Sequence, residues 1–194
     1  MAVVRRIEGY AIVSEDGMLA NSAGVMPQSL KFSADQQFFE RGLDGVDAVV
    51  HGRHSNEEQR NSPLRRRVIL TRRIHGLEPD PSNDKAMLWN PAGASFEEAL
   101  AAVGVEEAIV GVVGATDVFG LFLDRYDVFY LSRAPKVVLP GGRPVFPGVP
   151  MRSPEEVMAS HGLTAGPREV LDRAAGIVVT PWRRRESDPA GGRR

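Results

Sequence analysis

The chain has 194 residues, a formal net charge of −1 at pH 7 and 42% hydrophobic residues. This length and composition predict one globular domain with a substantial core, and the nearly balanced charge favours neither nucleic acid nor a membrane as partner. The sequence has no cysteine and no apolar run as long as a signal peptide or a membrane span. It therefore excludes disulfides, thiol catalysis and cysteine-ligated zinc, and it fits a cytoplasmic location.

The first quarter of the chain predicts a strand, a loop and a helix. Val3–Ser14 is patterned as a strand, and residues 18–28 show no clear period, which is typical of a loop that covers a site. A helix is predicted from Ser33, taken as its N-cap, with Asp35 in the first turn. A carboxylate in that position can simply stabilise the helix dipole, and this alternative stays open here.

Residues 44–55 are the most informative stretch. Residues 46–50 predict a buried strand, and Gly52 allows a sharp turn at its end. A polar segment follows, in which Ser55 is a plausible N-cap for a further helix. A strand end, a glycine, a guanidinium and a helix start together suit a phosphate group, although the same residues also fit a strand followed by a solvated basic loop. The polar residues of this segment are Arg53, His54 and Ser55.

Strands and helices continue to alternate through residue 132. Strands are predicted at 68–70, 86–89, 108–113 and 127–132, and helices at 96–103 and 116–123. The last third predicts a helix at Pro154–Ser160 and an antiparallel pair of strands near 168–173 and 176–181. The arginine-rich residues 183–194 predict a disordered basic tail after a single domain of residues 1–182.

This alternation predicts an α/β fold with a mostly parallel sheet and an antiparallel hairpin at the C-terminal end. Ligands of such sheets bind beyond the carboxyl ends of the strands, so we expect a nucleotide site there. It is not the common dinucleotide fold, because no Gly-x-Gly-x-x-Gly follows the first strand. The residues at the predicted strand ends are Arg53, His54, Thr71, Arg72, Gly114 and Thr116.

Several short motifs occur in a characteristic order. Residues 34–39 read Ala-Asp-Gln-Gln-Phe-Phe, residues 50–55 read Val-His-Gly-Arg-His-Ser, and residues 14–20 read Ser-Glu-Asp-Gly-Met-Leu-Ala. Together they resemble the dihydrofolate reductase superfamily, which includes the reductase domain of riboflavin biosynthesis, and the resemblance extends over residues 3–182. Further motifs that carry it are residues 68–72, 129–132 and 143–147.

The resemblance implies a three-layer αβα fold with a central mixed, mostly parallel sheet, and an NADPH-dependent reductase. We expect no metal, because His51 and His54 are the only close histidine pair and no third ligand is near them in sequence. Asp35 corresponds to the aspartate that holds the substrate ring, and Ser132 to a threonine that hydrogen-bonds it. The implied substrate-binding residues are Ala11, Phe39 and Val113. The implied cofactor-binding residues are Gly52, Arg53, His54, Ser55, Thr71, Arg72, Gly114, Ala115, Thr116, Asp117 and Val118.

Three departures separate this chain from the folate branch. The family's Gly-Gly is Gly114-Ala115 here, and we expect the peptide between these two residues to be cis as it is in the family. Phe119 stands in place of a tyrosine, and the loop 21–28 lacks a tryptophan. These differences argue against dihydrofolate as the substrate more than they argue against a reduced nicotinamide as the cofactor.

Three functional hypotheses follow. The first is an NADPH-dependent reductase of a pteridine- or pyrimidine-like heterocycle. The second is a riboflavin-pathway reductase of 5-amino-6-(5-phosphoribosylamino)uracil type, which needs basic residues for a second phosphate. The third is a nucleotide-binding protein of the same fold without catalysis. The expected partner is a small heterocyclic substrate, with no nucleic acid and no membrane, and the sequence leaves a homodimer open.

Overall fold

The computed structural model describes residues 2–55 and 58–185 of the chain. Within these residues, ten strands form one sheet and two strands form a second, small one. In chain order the elements are β1 (Val3–Ser14), β2 (Met18–Ala20), α1 (Ser33–Asp44), β3 (Ala48–Gly52), β4 (Arg67–Leu70), β5 (Leu77–Pro79), β6 (Ala86–Trp89), α2 (Phe96–Ala102), β7 (Glu107–Val112), α3 (Thr116–Leu121), β8 (Val128–Ala134), β9 (Arg143–Pro144), α4 (Pro154–Ser160), β10 (Leu163–Ala165), β11 (Glu169–Asp172) and β12 (Ile177–Arg184).

The main sheet is parallel at its centre and antiparallel at both edges. Its order is β10-β12-β8-β1-β7-β3-β4-β6-β5, and β11 pairs with β12. The central pairs β8–β1, β1–β7, β7–β3, β3–β4 and β4–β6 are all parallel. The pairs of β12 with β8, β10 and β11, and of β5 with β6, are antiparallel. The predicted α/β class, the mostly parallel sheet and the C-terminal antiparallel hairpin are confirmed.

Helices cover both faces of the sheet, which gives the three-layer arrangement. On one face, α1 packs through Leu43 on a small cluster that includes Tyr10 and Val49. On the other face, α2, α3 and α4 contribute Phe96, Phe119 and Met158 to the main core. Side chains alternate between the two faces along a strand. Ala48 and Val50, on either side of Val49, therefore face the other way and belong to the main core.

The segment after β3 differs from the prediction. No helix starts at Ser55: the described residues 58–61 are not helical, and the next regular element is a 3₁₀ turn at Ser62–Leu64. Backbone hydrogen bonds close this turn, from the Leu64 N–H to the Asn61 carbonyl at 2.9 Å and from the Arg65 N–H to the Ser62 carbonyl at 3.2 Å. The Arg67 guanidinium also donates to the Ser62 carbonyl at 2.7 Å and to its hydroxyl at 2.6 Å. Helix α1 also starts differently, since Ser33 is its first residue and Phe32, which makes no side-chain cap, is the N-cap.

The C-terminal strand is longer than predicted. Strand β12 continues through Arg184, whose guanidinium donates to the carbonyls of Leu123, Tyr126 and His161 at 2.9, 3.0 and 2.8 Å. Residues 183 and 184 of the predicted tail therefore belong to β12, and residues 186–194 of it lie outside the described part of the chain. None of the described helices is long and apolar enough to cross a membrane.

Candidate functional site

A buried carboxylate lies between α1 and the sheet. Asp35, in the first turn of α1, is only 9% exposed, and the hydroxyl of the buried Ser132 on β8 donates a hydrogen bond to it. Burial raises the pKa of Asp35 from its ordinary value of 3.8 to about 6, because water no longer stabilises the charged form, and the hydrogen bond from Ser132 partly opposes this. The contact that was expected between the two residues is therefore present.

Two of the three predicted substrate-binding residues lie in the same layer as Asp35. Phe39, one helical turn further along α1, and Val113 both pack on the cluster between α1 and the sheet. Ala11 does not join them. It pairs with Leu131, while its neighbour Ile12 pairs with Ser132, so Ala11 faces the opposite side of the sheet and packs on the main core.

A second group of predicted residues meets where β3 and β7 end. The peptide between Gly114 and Ala115 is cis, as predicted, and the Gly114 carbonyl accepts a hydrogen bond from the Gly52 N–H at 2.8 Å. A Cβ atom added to Gly52 would lie 3.6 Å from Val118 Cγ2, and one added to Gly114 would lie 3.5 Å from Phe119 Cε2, which are ordinary contact distances. Gly114 also has a φ of +119°, which residues with a side chain rarely adopt. The two glycines therefore leave bare backbone at this edge of the sheet.

Basic residues follow the ends of the adjacent strands β3 and β4. Gly52 pairs with Leu70, so Arg53 and His54 after β3 and Arg72 after β4 come to the same edge of the sheet. All three are exposed, and among the described residues neither arginine takes part in an ion pair. Thr71 is instead buried, and its hydroxyl accepts the backbone N–H of Arg73 at 3.3 Å.

The first three side chains of α3 have different environments. The Thr116 hydroxyl donates to the Pro144 carbonyl and so connects α3 to β9, Asp117 is exposed, and Val118 is buried beneath Gly52. No side chain caps α3, whose N-cap is Ala115. The group that Thr116 can offer to a ligand is therefore its backbone N–H, since its hydroxyl is bonded to Pro144.

The motif at residues 14–20 stabilises a turn. The Ser14 hydroxyl donates to the Asp16 carboxylate at 2.6 Å and accepts the Met18 N–H at 2.9 Å, while the Leu139 N–H donates to Asp16 at 3.0 Å. These bonds hold the turn between β1 and β2. They also lower the pKa of Asp16, although partial burial acts in the opposite direction. No group of three or more acidic, histidine or cysteine side chains in residues 2–55 and 58–185 is arranged to hold a metal.

An aromatic cluster between α1 and the sheet was missed by the sequence analysis. Tyr10 and Tyr130 lie on the same face of the sheet as Ser132, and their rings stack at 5.0 Å between centroids. Phe38, one turn after Asp35, meets the Tyr130 ring edge-on at 5.5 Å. The alternation of side chains along β8 is the signal that could have placed Tyr130 with Ser132.

No family model and no curated protein matches this sequence. Solved structures do match in fold. A dihydrofolate reductase from Enterococcus faecalis, complexed with NADP(H) and RAB-propyl, has a TM-score of 0.64 and 18% identity over 93% of this chain and 97% of its own. A diaminohydroxyphosphoribosylaminopyrimidine deaminase/5-amino-6-(5-phosphoribosylamino)uracil reductase from Thermotoga maritima has a TM-score of 0.65 and 18% identity, over 92% of this chain and 56% of its own. A pyrimidine reductase-like protein from Corynebacterium diphtheriae has a TM-score of 0.60 and 13% identity, over 92% and 91%. The chain has the dihydrofolate reductase-like fold.

Proposed function

We propose that the protein is an NADPH-dependent reductase of a pteridine- or pyrimidine-like heterocycle. The observation that carries this proposal is the buried Asp35, which is hydrogen-bonded to Ser132 and has its pKa raised to about 6. A carboxyl group kept away from water, with a pKa near the working pH, is the usual property of a catalytic acid and not of a helix-stabilising residue.

Asp35 has two tasks in this proposal. A carboxylate accepts two parallel hydrogen bonds from an N–C–N edge, which pterins and aminopyrimidines both present. With a pKa of about 6, the group also carries a proton in part of the molecules near neutral pH, and it can donate this proton to a ring nitrogen. Ser132 fixes the carboxyl orientation, and Phe39 and Val113 provide apolar walls.

The strand ends fit a dinucleotide cofactor. Gly52 and Gly114 leave a strip of backbone without side chains, and the exposed Arg53 and Arg72 follow the ends of the neighbouring strands β3 and β4. A reduced nicotinamide supplies a hydride when it is bound, so the protein needs only to bind, orient and protonate the substrate. Neither arginine has an ion-pair partner among the described residues, and both suit the additional phosphate of NADPH, since a guanidinium binds phosphate through forked hydrogen bonds.

A second candidate substrate belongs to the same reaction class. The Thermotoga maritima protein of similar fold is a 5-amino-6-(5-phosphoribosylamino)uracil reductase, so a ribosyl-aminopyrimidine phosphate is the alternative to a pterin. Both substrates present the N–C–N edge that Asp35 would bind, and they differ in the phosphate that only the second one carries.

The test is NADPH oxidation by the full chain with a panel of substrates: dihydrofolate, dihydropterins, and aminopyrimidines with and without a ribosyl phosphate. We expect turnover of at least one of them by the wild type and its loss in Asp35→Asn. Tight NADPH binding without turnover of any compound would favour a non-catalytic nucleotide-binding protein. Absence of NADPH binding would contradict both roles.

A further inference from the structure

A cavity of about 510 Å³ lies on the α1 side of the sheet, between α1 and the strands β11 and β12. This volume falls within the range of about 300–1,000 Å³ that is typical of small-molecule sites. Asp35 and Ser132 do not line it, and no residue of the proposed cofactor edge does. The cavity is therefore separate from the candidate active site.

One wall of the cavity is aromatic. Tyr10 and Tyr130, from adjacent strands, stack with centroids 5.0 Å apart and an angle of 20° between their planes. Phe38 of α1 contacts both rings, at 5.5 Å from Tyr130 and 6.3 Å from Tyr10. Three rings that pack on one another are a suitable surface for a further flat ring.

The rim of the cavity is basic. Arg41, in the last turn of α1, and Arg183, on β12, both line it, are exposed, and have no hydrogen-bonded or ionic side-chain partner in the described part of the chain. Glu169 is the only acidic residue among those that line it, so the rim has an excess of one positive charge.

A nearby buried carboxylate does not neutralise these arginines. Glu8 lies in the same row of the sheet as Arg183, because both residues pair with Val128. However, the Glu8 carboxylate accepts the Tyr10 hydroxyl at 2.5 Å and pairs with the Arg6 guanidinium at 2.6 Å. Its charge is therefore already balanced, and Arg41 and Arg183 remain available to an anion from outside.

We propose that this cavity is a second ligand site, which binds a planar aromatic anion such as an aryl carboxylate or an aryl phosphate. The ring packs on Tyr10, Phe38 and Tyr130, and the anionic group pairs with Arg41 and Arg183. A cationic ligand is disfavoured because two guanidinium groups at the rim face a single carboxylate.

The probes are naphthalene-2-carboxylate and its neutral isostere naphthalene-2-carboxamide, titrated calorimetrically into the full chain. We expect the carboxylate to bind about tenfold more tightly than the carboxamide, and Arg41→Gln or Arg183→Gln to weaken the carboxylate about threefold each, as suits exposed ion pairs. Arg173→Gln, an exposed arginine outside the cavity, is the matched control and should change nothing.

Two further variants locate the bound probe. Pro181→Trp places a large side chain into the cavity and should abolish binding. Asp35→Asn should leave the affinity unchanged, whereas an anion held against Asp35 would bind this variant more tightly. Equal affinity for the two probes, unchanged affinity in the double variant of Arg41 and Arg183, or binding retained in Pro181→Trp would overturn the proposal. None of these measurements depends on reductase activity.

Discussion

The two parts of the candidate site are built on opposite physical principles. The Asp35–Ser132 pair owes its properties to burial, because removal of water raises the pKa of a carboxyl group that an exposed helix terminus would leave ionised. The edge formed by Gly52, Gly114 and the exposed arginines owes its properties to missing side chains and to charges that remain in water. The first part should therefore respond to pH and the second to salt.

The largest effect is expected on turnover at the buried part. Asp35→Asn keeps the size of the side chain but replaces an acceptor oxygen with a donor and removes the proton, so turnover should fall at least about 100-fold. NADPH affinity should stay within a factor of about two, since Asp35 lies away from the cofactor edge. Steady-state NADPH oxidation and fluorescence titration measure the two quantities. Glu40→Gln, on the same helix, is the matched control, and wild-type turnover in Asp35→Asn would return Asp35 to a helix-dipole role.

The same variant should change stability in a pH-dependent way. The pKa of Asp35 is raised by folding, so the native state binds more protons than the unfolded state between about pH 4 and 6, and stability falls as pH rises through that window. Asp35→Asn removes this loss and should be more stable than the wild type above pH 6, by on the order of 2–3 kcal/mol, with the advantage gone near pH 4. Urea unfolding at several pH values measures this. A helix-dipole role predicts the opposite sign at neutral pH, a loss of about 0.3–1 kcal/mol.

The buried part was more predictable from sequence than its apolar surroundings. Asp35 and Ser132 were identified by short motifs, and their contact is present in the structure. Ala11 was predicted to bind the substrate, but its side chain faces away from the Asp35 side of the sheet, and this face depends on the pairing of β1 with β8. A shift of one residue in that pairing moves every side chain to the other face, and a single sequence does not specify it.

Hydrogen bonds from arginine side chains accompany two other differences. The described residues 58–61 are not helical, and the turn that follows at Ser62–Leu64 accepts a hydrogen bond from the Arg67 guanidinium of β4. At the C-terminal end, the Arg184 guanidinium donates hydrogen bonds to three carbonyl groups from two distant segments, and the sequence does not show these contacts. The strands β5 and β10 have three residues each, too few to show a period in the sequence.

The edge with Gly52, Gly114 and the exposed arginines was predicted in two ways. Glycine and basic residues indicated the ends of β3 and β4, and the family resemblance indicated the cis peptide.

The bare backbone at the edge provides the next test. Gly52→Ala adds a methyl group that meets Val118 Cγ2 at 3.6 Å, so the fold should be retained while the space for a cofactor shrinks. We expect NADPH affinity to fall about tenfold, with little change in the free energy of unfolding. Gly45→Ala, at the C-terminus of α1, is the control for the methyl group alone. An unchanged NADPH affinity in Gly52→Ala would remove this strip from the cofactor site.

The smallest effect is expected at the exposed charges. Arg72→Gln removes a guanidinium that would bind the additional phosphate of NADPH, a group that NADH lacks, so only NADPH should bind more weakly. We expect the preference for NADPH over NADH, about tenfold or more in the wild type, to fall about three- to tenfold, since an exposed charge pair in water is worth less than a buried one. Arg73→Gln, the exposed neighbour, is the control.

Salt tests the same charges without a substitution. The preference of the wild type for NADPH over NADH should decrease from low to high salt, because exposed charges are screened, whereas the effect of Asp35→Asn on turnover should persist. A preference that neither Arg72→Gln nor salt reduces would place the phosphate elsewhere and remove the contrast between the two parts of the site.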